Sequence, residues 1–478
     1  MIAMTLAEIA EVVGGTVHGD PASESTVVTG GAFVDTRTPE ADGLFVAIAG
    51  ERVDGHDLAE QAIAAGAVAV LGSRPTTAPT VVVDDVVAAL GALARHVHDS
   101  LTDLATYALT GSQGKTGTKD YLAAILEGDG PIVATRGNFN NEIGVPLTVL
   151  RAGADTKHLV VEMGARGIGH IAQLCRIAPP DVAAVVNVGT AHIGEFGSRE
   201  AIAVAKGEIV EALTAEGTAV LNADDALVAA MAPRTTASVV TFGAGGDLRA
   251  TEVSTDELGR PSFDLQWRGS GATVHLGQLG LHQVENALAA AAMALSGGLD
   301  LDAVADGLTD ARPPSRWRME VHERADGTVV VNDAYNANPE SMAAALAVLD
   351  GIRERSGRRT IAVLGEMFEL GEGAVEAHRA VGRTAARAGV DVLLTIGDMA
   401  SRMAEAARAE AGWSGEAIVT AGHAEAVAWL RQNGSAGDVV LVKASRGAAL
   451  ERVAEAVLDE PMTDEPSDDT PAEGSRTP

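Results

Sequence analysis

The sequence predicts an α/β protein of three domains, on three observations. Short apolar runs alternate with longer stretches of helical periodicity through most of the chain, the pattern of parallel strands joined by crossover helices. Hydrophobic residues make up 46% of the chain and aromatics only 3%, which suits Ala-rich helices on Val-rich parallel strands better than an aromatic-rich sandwich. At 478 residues the chain is too long for one core, and domains of about 100 to 200 residues divide it into about three. The expected parts are a small mixed α/β N-terminal domain, a central parallel-sheet domain and a C-terminal doubly wound domain.

Residues 1–102 carry the mixed pattern. The spacing predicts helices over Leu6–Val13, 57–65 and 86–98, and extended runs at 43–48, 67–71 and 80–83. Polar punctuation gathers before one strand at Asp35, Thr36 and Arg37, and after it at 51–57, where Asp54, Gly55 and His56 lead into a helix. Two such loops on a small sheet can hold an anionic ligand; they also suit surface turns and a helix cap.

Residues 103–312 open with the apolar run 105–109, the segment TGSQGKT at 110–116 and a helix expected over 120–126. Strands are expected at 132–134, 158–163, 182–188, 218–221 and 238–242 with helices between most of them, which implies right-handed crossovers and a largely parallel sheet. From 247 to 279 short alternating runs predict antiparallel strands, before a helix over 283–295. Residues 313–460 alternate most clearly, with strands at Val329–Asp333, Thr360–Leu364, 390–396, 417–420 and 438–442, the outline of a Rossmann-like doubly wound sheet. The acidic tail 461–478, rich in Pro, Ser and Thr, is expected to be disordered.

A net charge of -31 with no offsetting basic stripe argues against a nucleic-acid surface or an anionic membrane. One cysteine, Cys175, excludes an intramolecular disulfide and suits a small core residue. Neither a signal peptide nor a long uncharged apolar run is present, so a soluble, cytoplasmic protein is expected.

Any phosphate must therefore be bound locally, and 110–116 is built for it. A Gly-rich turn from a strand into a helix N-terminus frees the N–H groups of Gly111, Ser112, Gln113 and Gly114 toward an anion; Lys115 adds a point charge and Thr116 a hydroxyl for Mg2+. Leu109 stands where the usual G-x-x-x-x-G-K-[ST] pattern needs glycine, so an ordinary Gly-rich turn stays open beside a P-loop ATPase-type domain. Glu162, at the end of an apolar run, pairs naturally with Thr116 as a magnesium ligand or is an exposed strand-end carboxylate. His192 suits a second metal ligand or a hydrogen-bonded surface residue. Lys206 lies on an apolar helix face, where it is either a desolvated base or carbamate carrier, or a snorkelling surface lysine. Asn138, Asn140 and Asn141 suit a ligand with many hydroxyls and amides, or tight turns. Arg318, between the second and third units, is a candidate to cross a domain cleft to a phosphate.

Together these stretches resemble the Mur ligase family. The resemblance reaches to about residue 460 and rests on TGSQGKT at 110–116, GNFNNEIGVP at 137–146, VEMG at 161–164, Asn187 with His192, AKGEI at 205–209, NDAYNANP at 332–339, LGEMFELG at 364–371 and KAS at 443–445. It implies ATP and Mg2+ as cofactors. By resemblance, the loop 111–117, including Gly117, holds the ATP phosphates, with Lys115 and Thr116 foremost. Glu162 is a metal ligand, His192 a ligand of a second metal and Lys206 a carbamate carrier. His282 and Asn286 match an adenine-binding helix start, and Arg318, Asp333, Tyr335 and Asn336 match nucleotide contacts of the third domain. Asp35, Arg37, Asp54, Gly55 and His56 would hold the UDP end of the substrate. Three positions depart from the family's usual residues: Gln283 for Asn, Gly117 for Thr and Ala444 for Gly.

The Asn-rich loop and the NDAYNANP stretch resemble most the branch that joins D-alanyl-D-alanine to UDP-N-acetylmuramoyl-tripeptide, through an acyl phosphate, in peptidoglycan synthesis. Lys115, Lys206, His192 and Arg318 would carry that chemistry, in a monomer whose third domain closes on the second about hinges near Thr102 and Arg312. Two alternatives are a sister ligase that adds one amino acid to a UDP-muramoyl peptide or a folate, and a nucleotide-binding scaffold without chemistry.

Overall fold

The computed structural model describes residues 1–50, 53–189, 196–312, 315–368 and 370–459; His192, residues 51–52 of the 51–57 loop and the tail 461–478 lie outside them. The chain divides into two compact units, one of residues 1–254, 262–277 and 283–315, the other of 255–261, 278–282 and 316 onward.

In the first unit the N-terminal region builds a five-stranded sheet in the order Thr16–His18, Thr80–Val82, Ala67–Gly72, Gly43–Val46, Ala32–Phe33, antiparallel at the first pair and parallel elsewhere. Leu6–Val13 is a helix because Thr5 and Glu8 close a capping box at its start and Gly14, at φ 66°, ends it. The helix expected over 57–65 is split into a 3-10 turn, Gly55–Leu58, and an α-helix, Ala59–Ala64. The cause is Asp54, whose Oδ1 accepts from the His56 N–H at 3.0 Å and from the ring Nδ1 at 2.5 Å. Ser73 donates its N–H to His56 Nε2 at 2.9 Å, so the ring proton sits on Nδ1. Arg74 pairs with Asp54 at 3.2 Å and with Asp57 at 2.8 Å. The hydrogen bond from the His56 ring is the largest influence holding the Asp54 carboxyl down at about 2.

Helix Val86–Ser100, capped by Asp85, ties this region to the central sheet and its helices. Its buried face joins the same hydrophobic cluster as the helices Gly144–Val149 and His170–Ile177, Arg95 donates to the Arg176 carbonyl at 2.9 Å, and His98 meets the Thr106 hydroxyl at 2.9 Å. Residues 1–102 thus share a core with one face of that sheet.

The central sheet has nine strands among the described residues, ordered Ser270–His275, Pro261–Trp267, Leu248–Thr255, Ser238–Phe242, Thr218–Asn222, Val182–Val185, Ala105–Thr110, His158–Glu162, Ile132–Ala134. The strands from Ala105 to Phe242 pair in parallel, and Pro261–Trp267 with Ser270–His275 forms the antiparallel hairpin expected from the alternation. Helix Lys115–Glu127 starts earlier than the apolar spacing predicts, because Gly114, left-handed at φ 76°, turns the chain into it directly. The strand expected over 182–188 stops at Val185, since Asn187 turns its polar groups to the loop at 110–116.

The second unit is a six-stranded sheet ordered Glu320–Glu323, Val329–Asp333, Val439–Lys443, Thr360–Leu364, Val392–Ile396, Glu416–Thr420, parallel except at the first pair. Helices cover both faces: Pro339–Ser356, Ala374–Arg387 and Ser401–Arg408 on one core, His423–Asn433 and Glu451–Asp459 on the other. The strand expected from 390 begins at Val392 because the Val390 carbonyl accepts from the Trp413 indole at 2.8 Å. Ala374–Arg387 and Ser401–Arg408 approach closely at Gly382, where a Cβ would stand 2.0 Å from the Met403 carbonyl oxygen.

Gly382→Ala forces that helix pair apart and is expected to cost about 1–3 kcal/mol in urea unfolding; an unchanged midpoint would disprove the close approach. Asp54 has a depressed pKa, so its stabilisation is complete above the usual carboxylate value and is lost as pH falls toward about 2. The melting-temperature deficit of Asp54→Asn should therefore be widest above pH about 4 and shrink on acidification. A pH-independent deficit would show that the charge is not what holds the turn.

Candidate active site

The loop 111–114 leaves the sheet at the carboxyl end of Ala105–Thr110, where ligands of parallel sheets gather. Gly114 has room for no side chain: besides its positive φ, a Cβ there would lie 2.3 Å from Asn286 Oδ1. Asn286 Nδ2 donates to Gln283 Oε1 at 2.9 Å, and a Cβ on Gly117 would stand 2.9 Å from the same Nδ2. Two of the positions that depart from the family's usual residues thus meet at Asn286, whose Nδ2 is held by Gln283 and would crowd a side chain at 117. Ser112 and Gln113 turn their N–H groups to Asn187 Oδ1, at 3.1 and 2.9 Å. Lys115 Nζ donates to the Gly111 carbonyl at 2.7 Å and to that of Ser112 at 3.4 Å.

Thr116 and Glu162 meet as their chemistry anticipates. The Thr116 hydroxyl donates to Glu162 Oε2 at 3.0 Å, Asn140 Nδ2 donates to Oε1 at 2.9 Å, and the Glu162 N–H donates to the Thr135 hydroxyl at 3.0 Å. Glu162 is 3% exposed, so it is no surface carboxylate. Lys206 is also buried, and its pKa lies well below the ordinary lysine value, chiefly from burial and then from the charge of Lys115, with Glu162 acting in the opposite sense. Loop, Thr116, Glu162, Asn140 and Lys206 thus form one polar cluster. Among the described residues no group of three or more His, Cys, Asp or Glu converges. The hydroxyl and carboxylate of Thr116 and Glu162 are hard oxygen donors of the kind Mg2+ takes alongside water and phosphate.

Other candidates are placed differently. Asn141 Oδ1 accepts from the Gly144 N–H at 2.9 Å at the start of a helix, and the Asn138 side chain is exposed. Asp35 forms a bidentate pair with Arg37 at 2.7 Å, which holds its carboxyl below the usual range. That pair follows Ala32–Phe33 and the Asp54, Gly55, His56 turn follows Gly43–Val46, so both leave the carboxyl ends of two paired parallel strands. Asp54 and His56 are engaged within their turn, and a Cβ on Gly55 would meet Ile48 N at 2.8 Å.

In the second unit Arg318 stacks on Tyr335, its guanidinium 4.0 Å from the ring centre. Trp317 and Met319 on either side hold φ of 60° and 52°, sparsely populated backbone for bulky residues. Asp333 Oδ1 accepts from the Met319 N–H at 3.1 Å, while Oδ2 is paired at 2.6 Å with Lys443, which also donates to the Asn336 carbonyl at 2.8 Å. His282, at the start of helix His282–Ser296, is exposed.

Sequence reasoning named Asn187 and Lys443 among the motif residues without a partner for either, and did not single out Lys119 or Glu285. Lys119 is 3% exposed, pairs with Asp120 at 2.6 Å and donates to the Thr135 carbonyl at 3.0 Å. Lys443 had a readable signal, a lone lysine ending the apolar run Val439–Lys443. Its partner is decided by strand register, which aligns it with Asp333.

Family models match most of the chain: Mur ligase family, catalytic domain, over 27–99; Mur ligase middle domain over 109–294; and Mur ligase, glutamate ligase domain, over 317–446. The chain is 46% identical to the UDP-N-acetylmuramoyl-tripeptide--D-alanyl-D-alanine ligase of Mycobacterium tuberculosis, over 96% of this chain and 98% of that protein. Among solved structures it is similar to MurF from Acinetobacter baumannii, at 32% identity and a TM-score of 0.85 over 96% of this chain and 99% of that one. It is also similar to MurF ligase from Thermotoga maritima in complex with ADP, at 31% identity and a TM-score of 0.76 over 90% and 98%. Near-full-length identity at this level, on the same sheets, establishes that the chain belongs to the Mur ligase family.

Proposed function

We propose that this protein is the ATP-dependent ligase that joins D-alanyl-D-alanine to UDP-N-acetylmuramoyl-tripeptide, completing the peptide of the peptidoglycan precursor. The relatives named for that reaction support it along nearly the whole chain. The observation that carries it structurally is the buried pair Thr116–Glu162 beneath the phosphate loop, at 3.0 Å, with Lys115 and Lys206 beside it. A scaffold that only bound nucleotide would gain nothing from desolvating a carboxylate and a lysine together.

In the reaction the terminal carboxylate of the tripeptide attacks the γ-phosphorus of ATP, giving an acyl phosphate and ADP. The amine of D-alanyl-D-alanine then attacks the acyl carbon, forming the amide and expelling phosphate. The first step brings two anions together, so the cluster must supply positive charge. Lys115 does so once it leaves the Gly111 carbonyl for a phosphate oxygen. Thr116 and Glu162 are the residues that would hold Mg2+, whose chemistry when bound is to neutralise phosphate charge. Asn140 fixes the other Glu162 oxygen and, with Asn138 and Asn141, is assigned to substrate. In the second unit Arg318, Asp333, Tyr335 and Asn336 are assigned to the nucleotide, and in the N-terminal region the Asp35, Arg37 and Asp54, Gly55, His56 loops to the UDP end. No helix among the described residues is long and apolar enough to cross a membrane. We assign the work to the cytoplasm, where ATP is available, and to a monomer.

Lys206 is assigned a carbamate. Protonated, it would be a desolvated cation facing Lys115; carbamylation turns that repulsion into attraction, and the depressed pKa favours the neutral amine that reacts with CO2.

Phosphate release from ATP and magnesium with UDP-muramoyl-tripeptide is expected to require D-alanyl-D-alanine and to fail with single amino acids. Release with a single amino acid would move the protein to a sister branch, and no release with any acceptor would favour the scaffold. With 13C-bicarbonate, NMR should show a protein carbamate signal that Lys206→Met lacks. A wild-type spectrum without it would leave Lys206 a bare amine.

A further inference from the structure

The phosphate loop does not hold its own shape. The Ser112 N–H donates to both the main-chain and side-chain oxygens of Asn187, each at 3.1 Å, and the Gln113 N–H donates to Asn187 Oδ1 at 2.9 Å. Two donors converging on one side-chain atom decide which end of the amide faces the loop: Oδ1 must, and Nδ2 is left on the other side. There Glu285 Oε1 accepts from Asn222 Nδ2 at 2.9 Å, and the Asn187 side chain lies close enough to the same carboxylate to pull its pKa down. Asn222 is 3% exposed and its Nδ2 also donates to the Val186 carbonyl at 3.0 Å, next to Asn187.

We infer that Glu285 is a positioning residue for the phosphate loop, acting through Asn187. A carboxylate has acceptors and no donors, so it can face two amide Nδ2 groups at once and hold Asn187 with its carbonyl toward Ser112 and Gln113. Glutamine, of the same size, would set a donor against one of them and favour the flipped Asn187, whose Nδ2 would then oppose the loop N–H groups. The charge is kept at a cost: burial, then Asp224 and Asp225, push the Glu285 carboxyl above its usual value, against the Asn187 and Asn222 side chains. The consequence for nucleotide rests on reading the loop as the ATP site; the bracing itself does not.

The test exchanges the two groups. Glu285→Gln, Asn187→Asp and the double variant are made in the full chain, and amide hydrogen exchange is followed at 110–114 without nucleotide, with ADP affinity as second readout and helix Glu451–Asp459 as internal control. Each single variant should speed exchange at Ser112 and Gln113 about tenfold and weaken ADP by a similar factor. The double variant restores a carboxylate acceptor for the loop and an amide donor opposite it at unchanged net charge, and should recover most of both. Loop exchange unaltered in Glu285→Gln, or a double variant as fast as the product of the singles, would overturn the inference. Wild-type protein that binds no ADP would refute the nucleotide reading of the loop instead, while exchange still decides the bracing.

Discussion

Parallel register around the strand Ala105–Thr110 is the constraint on which the first unit's site depends. Leu109 pairs with Glu162 on one side and Thr110 with Val185 on the other, so the neighbouring strands end level with the phosphate loop. One neighbour then delivers Glu162 and the other Asn187. A slip of one residue would send Glu162 to the opposite face, because side chains alternate along a strand. The apolar residues of the two flanking strands that lie between these ends, among them Val160, Val161 and Ala184, are fully buried and make the slip costly.

Around that register the charges are kept few and paired. A chain of net charge -31 proposed to bind a polyanion offers local means for it: Lys115, a helix N-terminus and a buried carboxylate suited to a cation. Lys206 is held beside them at an energetic penalty visible in its depressed pKa. These groups are expensive to bury; Lys115 is held by the Gly111 and Ser112 carbonyls, Glu162 by Thr116 and Asn140, and the loop itself by Asn187. That is why the Asn-rich segments flank the site rather than line a loop elsewhere.

The second unit solves a similar problem with the same device. Val329–Asp333 and Val439–Lys443 are neighbours in parallel register, which sets Asp333 against Lys443 at their shared carboxyl edge. The pair then orders the chain around Arg318, through the Met319 N–H and the Asn336 carbonyl. Left-handed backbone at Trp317 and Met319 is tolerated because Trp317 also lies under the Arg446 guanidinium, 4.3 Å from its ring centre.

By itself the sequence determined what depends on neighbours along the chain. Strand and helix alternation, the Gly-rich turn before Lys115, the amide-rich run at 138–141 and the family are legible in local composition and order, because periodicity and turn chemistry act over a few residues. Thr116 with Glu162 could be anticipated as well, since one opens the helix after the Gly-rich turn, the other ends a strand, and their chemistry is complementary. Tertiary structure decided the pairings set by register and by crossing helices. It alone joined Asn187 to Ser112 and Gln113, set Glu285 behind Asn187, matched Lys443 to Asp333 and fitted Gly117 to Gln283 and Asn286. It also engaged Asp54 and His56 in their own turn, with Arg74 arriving from the end of a neighbouring strand. Apart from the local Asp54–His56 bonds, each of these joins residues far apart in sequence, and a hydrogen bond between them has no local signature until the sheet has brought its strands into line.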